Sequence, residues 1–378
     1  MTANGNGNSK SVVVLQLSGG NDALNTLIPY SDGLYYDQRP YLGIPQDQVL
    51  HLDDHVGLNP AMGPIKSLWD EGKVAVIQGV GYPSPNRSHF RSMDVWHTAQ
   101  PADIAPEGWL GQAIRDLDPK AENVVTGVNF GRGLPRAMYA KDVPVASVGN
   151  LETYGLMPDI KDETARKLAL EAFSQIYGGS GKDTISQFIS QVGMDALKGA
   201  DILRTAPGAY SSSVEYADNP IAQNMKNIAQ VMFADVGTRI FYTQHGSFDT
   251  HANELTAHAK LWGDVSTAVA DFMDDLKEHG KDKDTVILMF SEFGRRINDN
   301  GAGTDHGSGG VAFVVGGDVN GGLYADFPSL RPEDQLEGDM HFSNDFRLTY
   351  STILDRWLGL DPEPITNGSF EQFEFIQN

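Results

Sequence analysis

The sequence predicts an α/β protein with a mostly parallel central sheet flanked by helices. Three observations carry this. Short apolar runs of strand character recur along the chain, and helical patterns separate them in the rhythm of strand–helix–strand crossovers. Polar clusters fall just behind the apolar runs, where open α/β sheets hold their ligands.

The first run lies in SVVVLQLSGGND, apolar over residues 12–17 and closed by Gly19, Gly20, Asn21 and Asp22, so an acidic group is delivered at a strand's C-terminal end. A helical pattern over 60–70 follows, then a second strand in KVAVIQGVGY that runs into the turn-rich YPSPNRSHF. Further strands are predicted at 123–130, 239–243, 285–290 and 311–315. Helices are predicted near 162–177, 182–203, 253–279 and 345–358. The stretch 135–219 breaks the strand rhythm and reads as a largely helical insertion or cap on a single domain spanning 11–378. Residues 1–10, MTANGNGNSK, read as a polar flexible linker behind an export signal already removed or an added start Met.

Composition narrows the function. A net charge of −22 over 378 residues opposes a nucleic-acid partner, because phosphate backbones reward clustered Lys and Arg. A site for anions on so acidic a chain needs metal ions or local Arg to invert the field. No cysteine is present, which removes disulfides, thiolate ligands and cysteine nucleophiles. No apolar run approaches the roughly 18 residues of a membrane span.

Three clusters carry candidate chemistry. FDTHANE places Asp249 and His251 in one tight loop before a helix, a hard oxygen and an imidazole suited to a divalent cation; the same pattern also fits an Asp N-cap beside a solvated His. SEFGRRINDNGAGTDHG delivers Glu292 at a strand end and Asp305 and His306 in a Gly-rich loop, or else forms an ordinary ion-pair network with Arg295 and Arg296. YPSPNRSHF puts Ser88 at a helix start, fit either for an N-cap or for a nucleophile facing an anion, with Ser84 as second candidate.

Together LSGGNDALNTLIPY, YPSPNRSHFRSMDVW, FDTHANE, SEFGRRINDNGAGTDHG and DFRLTYSTILDRWLGL resemble the domain-of-unknown-function 1501 family, which is grouped with alkaline phosphatases, sulfatases and cofactor-independent phosphoglycerate mutases. The resemblance implies an alkaline-phosphatase-like sandwich and one or two divalent metals, zinc first, with calcium, magnesium or manganese as alternatives. It implies Asp22, Asp249, His251 and a late His306 as metal ligands. Asp305, beside His306, is a further candidate. Placement by strand end puts Glu292 and Phe293 where the superfamily has its second Asp-His pair. Phe293 cannot bind metal, so the second site would rest on Asp22, Glu292 and the nucleophile, with His341 or Asp345 as compensating groups.

The implied activity is hydrolysis of a small-molecule or carbohydrate ester, phosphate before sulfate because Cys is absent and SPNR departs from the sulfatase pattern. Ser88 would attack, with Arg87, Arg295 and Arg296 neutralising the transferred group and Asn21, Asn25 and His89 binding substrate. Export to the periplasm or medium is implied as well. The competing reading is a non-catalytic metal- or carbohydrate-binding protein on the same scaffold. Oligomeric state is not legible.

Overall fold

In a computed structural model, the structure describes residues 10–377 except 152–153, 155–161 and 179–183. The predicted linker therefore lies almost wholly outside the described residues. Among the described residues nine strands form the main sheet: β1 Ser11–Leu17, β2 Val74–Gly81, β3 Gly127–Phe130, β4 Ala146–Val148, β5 Ile240–His245, β6 Thr285–Phe290, β7 Gly310–Gly316, β8 Gly322–Tyr324 and β9 Asn344–Asp345. Their spatial order is β8-β2-β7-β6-β1-β5-β3-β4, with β9 beside β2. Every pairing is parallel except the two made by β7.

The central strands are continuous apolar runs because both faces are covered. Successive β1 side chains point to opposite faces. Val13, Leu15 and Leu17 join one core with helices α1 Gly63–Asp70, α6 Pro220–Phe233 and α7 Glu254–Glu278. Val12 and Val14 join the other with α2 His89–Thr98, α3 Trp109–Leu117 and α8 Phe346–Thr352. Two further helices, α4 Glu163–Gly178 and α5 Thr184–Leu203, occupy the middle of the chain. Each fully buried Val or Leu on these faces contributes about 1.5–3 kcal/mol. Helix α7 shows the pattern well: His258, Trp262, Val265, Val269, Phe272 and Leu276 recur every three or four residues and form its buried stripe.

Two expectations change. The stretch 135–219 is not all appendage, because Ala146–Val148 pairs in parallel with β3 and extends the sheet. The last helix, predicted over 345–358, is α-helical only over Phe346–Thr352 and widens into a π-helical turn over Ile353–Trp357. Three two-residue strands, Leu27–Ile28, Gly57–Leu58 and Leu50–His51, make a small separate sheet. Among the described residues, no helix is long and apolar enough to cross a membrane.

Candidate metal centre

Register brings the polar loops together. Leu17 of β1 lies opposite His245 of β5, and Gln16 lies opposite Phe290 of β6, so three parallel strands end in step. Their loops emerge side by side at the carboxyl edge. At Gly19, φ is +125° and a Cβ would come within 2.4 Å of the Asp249 nitrogen, so glycine lets the first loop lie directly on the second. β7 runs the other way and brings 305–309 to the same edge, while β2 exits there into 82–89 and α2.

One ligand atom each from His89, Asp249 and His306 lies within 4.8 Å of the others. The His89 and His306 Nε2 atoms are 3.1 Å apart. Asp249 Oδ1 is 3.1 Å from His306 Nε2, and Asp249 Oδ2 is 3.5 Å from His89 Nε2. A tetrahedral zinc-type ion with ligands at 2.0–2.1 Å has ligand–ligand edges of about 3.3 Å. His251 adjoins the group, its Nε2 3.0 Å from Asp249 Oδ1 and 3.1 Å from His306 Nε2.

The Nδ1 atoms decide which nitrogen is free. His89 Nδ1 faces Glu292 Oε1 at 2.8 Å, His306 Nδ1 faces the Arg87 carbonyl at 2.9 Å, and His251 Nδ1 faces Asp305 Oδ1 at 3.2 Å. These oxygens accept, so in the neutral tautomer that donates from Nδ1 each imidazole carries its lone pair on Nε2, the form that binds a cation. Lone pairs then point at one another across 3.1 Å beside a carboxylate, an arrangement relieved by a cation, and the residues present fit one.

Buried groups hold the cluster in place. Burial alone would raise the Asp249 pKa, but the hydrogen bond and charge of Arg295, then His306 and His251, outweigh it and bring the group to about 2. Arg295 Nη2 donates to Asp249 Oδ1 at 2.5 Å. Nε also donates to the Gly20 carbonyl and Nη1 to the Thr304 carbonyl, and Nη2 is shared with the carbonyls of Gly19 and Phe248. The Glu292 hydrogen bond raises the His89 pKa above its ordinary 6.5 against the opposing effect of burial. Phe293 lies under both imidazoles, its ring centroid 4.9 Å from that of His89 and 5.1 Å from that of His306.

The family described as protein of unknown function (DUF1501) matches residues 73–369. The chain belongs to this family. No curated protein matches it. Among solved structures it is similar to the PsFucS1 sulfatase from Pseudoalteromonas sp., at 13% identity over 97% of this chain and 70% of that one, with a TM-score of 0.41. It is similar to the phosphonate monoester hydrolase SpPMH from Silicibacter pomeroyi, at 12% identity over 96% and 78%, with a TM-score of 0.40. A third is the zinc complex of the C-terminal periplasmic domain of EcEptC from Escherichia coli, at 9% identity over 82% and 73%, with a TM-score of 0.38. Likenesses this distant say nothing of which residues act.

In this DUF1501 chain several expected site residues lie elsewhere. Asp22 is wholly buried against Arg39, which donates to both of its oxygens and also to the carbonyls of Ile297 and Arg296. Burial opposes ionisation of Asp22, but Arg39 and Glu254 hold its pKa well below the usual carboxylate range. A carboxylate so neutralised is a poor ligand, and Asp22 is not in the converging group. Glu292 and Asp305 stand behind His89 and His251 as hydrogen-bond acceptors rather than beside the ligand atoms. His89, expected among substrate contacts, places its Nε2 in the converging group with Asp249 and His306.

Asn21 and Asn25 are 1% exposed and serve the fold. Asn21 Oδ1 accepts from His258 Nε2 and Trp262 Nε1, both at 3.0 Å, while Asn25 links the Tyr35 hydroxyl to the Leu42 carbonyl. Arg295 is 1% exposed and directs its donors to Asp249 and to backbone carbonyls of the surrounding loops. Arg87 and Arg296 flank Asp339, at 2.8 and 3.8 Å, and remain partly exposed. Asp345 caps α8 and pairs with Arg347, and His341 is exposed beside Phe342, so neither compensates for Phe293. Ser88 is exposed at the N-cap of α2 without a side-chain capping bond. Ser84 is exposed in a left-handed turn, φ 55°.

Proposed function

We propose that this protein is a metal-dependent hydrolase of phosphate esters, with one divalent cation of zinc type held by His89, Asp249 and His306 and with Ser88 as nucleophile. The reading rests on the convergence of two Nε2 lone pairs and a carboxylate at separations of 3.1–3.5 Å, one residue from Ser88. Bound there, the ion would stabilise charge developing on the reacting oxygens and favour the serine alkoxide.

The chain's own residues do the rest. Ser88 presents an exposed hydroxyl that makes no side-chain hydrogen bond among the described residues, and the first N–H groups of α2 open behind it toward an incoming anion. Arg87 and Arg296, partly exposed, offset the charge of a phosphoryl group in a strongly acidic protein. Phe293 fills the place where a second cation would need an imidazole, and Arg39 already neutralises Asp22, so the residues fit one metal rather than two. Small-molecule or carbohydrate esters remain the substrate class, sulfate after phosphate, and export remains part of the reading.

The test is metal content of the wild type and of His306→Ala, purified without added metal or chelator, followed by turnover on a panel of aryl and sugar phosphates and sulfates. Stoichiometric metal with turnover lost on chelation and in Ser88→Ala supports the proposal. A second reading has its own support. If His251 joins the other three, the sphere closes at four protein ligands, as structural zinc sites do. Metal retention with no turnover on any ester would favour that non-catalytic, metal- or carbohydrate-binding role.

A further inference from the structure

The geometry points to His251 as an exchangeable fourth ligand: it closes the cluster at rest and swings away to admit a tetrahedral oxyanion. This rests on the metal reading above and goes beyond it. Asp249 and His306 form an edge that two imidazoles contact, His89 on one count and His251 on the other. His89 belongs to the mutually close trio, whereas His251 stands beside two of its members, Asp249 and His306.

The two imidazoles are held very differently. The partner of His89 is Glu292, 1% exposed and itself bonded by the Gly19 N–H at 2.9 Å, and its ring lies on Phe293. Rotating His89 would take a hydrogen-bond partner from a buried carboxylate, which is costly. The partner of His251 is Asp305, whose side chain is 62% exposed, and His251 itself is 45% exposed. Water replaces that contact at little cost.

The backbone beneath His251 is fixed, so the side chain alone moves. Thr304 N–H donates to the Thr250 carbonyl at 3.1 Å, and Asn300 Nδ2 donates to the His251 carbonyl at 3.2 Å. The side of the cluster that His251 vacates is the more open one, since His251 and Asp249 are each 45% exposed against 31% for His89 and 25% for His306. An oxyanion is the occupant such a position takes, because the cation offers the positive charge that the acidic surface lacks.

The experiment uses the full chain loaded with cobalt(II) and inorganic phosphate as the probe. His251→Ala should keep near-stoichiometric cobalt while His89→Ala loses it. Phosphate should bind His251→Ala about tenfold more tightly than wild type, the factor expected if the open arrangement is populated at about a tenth. X-ray absorption at the cobalt edge of the wild type should count one imidazole fewer once phosphate is added, a readout that needs no variant. Cobalt loss from His251→Ala as complete as from His89→Ala, or an unchanged imidazole count with phosphate bound, overturns the inference. A wild type that takes up no metal defeats the metal reading itself and is thereby distinguished.

Discussion

His89 Nδ1 lies 2.8 Å from Glu292 Oε1, and this contact between the start of α2 and the end of β6 fixes which nitrogen His89 turns to the cluster. A carboxylate behind a ligating imidazole raises its basicity and locks its tautomer. Glu292→Gln keeps an acceptor but removes the charge, so metal affinity should fall by about 10–100-fold with the fold intact. Competition against a chromophoric chelator measures this. An unchanged affinity would mean that His89 does not hold the ion.

Asp22 and Arg39 make the opposite case, a carboxylate at a strand end that serves the fold. Both are fully buried, and Arg39→Met would leave Asp22 charged and unpaired at a cost of about 3–5 kcal/mol. Adding Asp22→Asn to that variant should recover much of the loss. Asp22→Asn alone should leave metal content at the wild-type level. Denaturant titration reads the first two effects and elemental analysis the third; metal lost from Asp22→Asn would restore Asp22 as a ligand.

Glu254 gives the pair a pH signature. Burial, and then the Asp22 charge beside it, raise its pKa well above the ordinary 4.5, and Thr304 Oγ1 donates to its Oε2 at 2.6 Å. The folded protein therefore keeps a proton that the unfolded chain releases. The stability this gives is fully present below about pH 4.5 and is lost progressively as pH rises toward the raised folded pKa. Glu254→Gln, which cannot ionise, should lose less stability than wild type as pH is raised through neutrality. Denaturation curves of the metal-free proteins at several pH values test this, and parallel pH profiles would show that Glu254 is ionised when folded.

The sheet was legible because its central strands are unbroken apolar runs, and the carboxyl edge was legible because Asp249 and His306 stand just behind or before such runs. β4 was not, since three residues, Ala146–Val148, carry no period that distinguishes a strand from a loop. The roles at the site depended on partners far away in sequence. Asp22 looks like a ligand until Arg39 is seen to arrive from the C-terminal cap of the short helix Gly33–Gln38, and His89 looks like a substrate contact until Glu292 is seen to turn its Nε2 toward His306. Arg295 reads as an anion clamp in sequence, but in the fold it is buried and bonded to four backbone carbonyls and Asp249. The pattern of residues indicated where chemistry gathers; the direction of each side chain is set by tertiary contacts that no local pattern encodes.

Gly20 offers a test of the cluster that touches no ligand. Its φ is +77°, and a Cβ there would come within 2.3 Å of the Phe293 ring, which lies beneath His89 and His306. Gly20→Ala carries a left-handed backbone cost of about 1–2 kcal/mol and also drives the ring toward the imidazoles. Metal affinity should fall along with stability. In a Phe293→Ala background the clash is gone, so adding Gly20→Ala should cost only the backbone strain and produce no further loss of metal affinity. A double-mutant cycle read in both stability and metal binding separates the two effects. If Gly20→Ala weakens metal binding equally with and without the Phe293 ring, that ring does not support the imidazoles, and their placement rests on Glu292 and the Arg87 carbonyl alone.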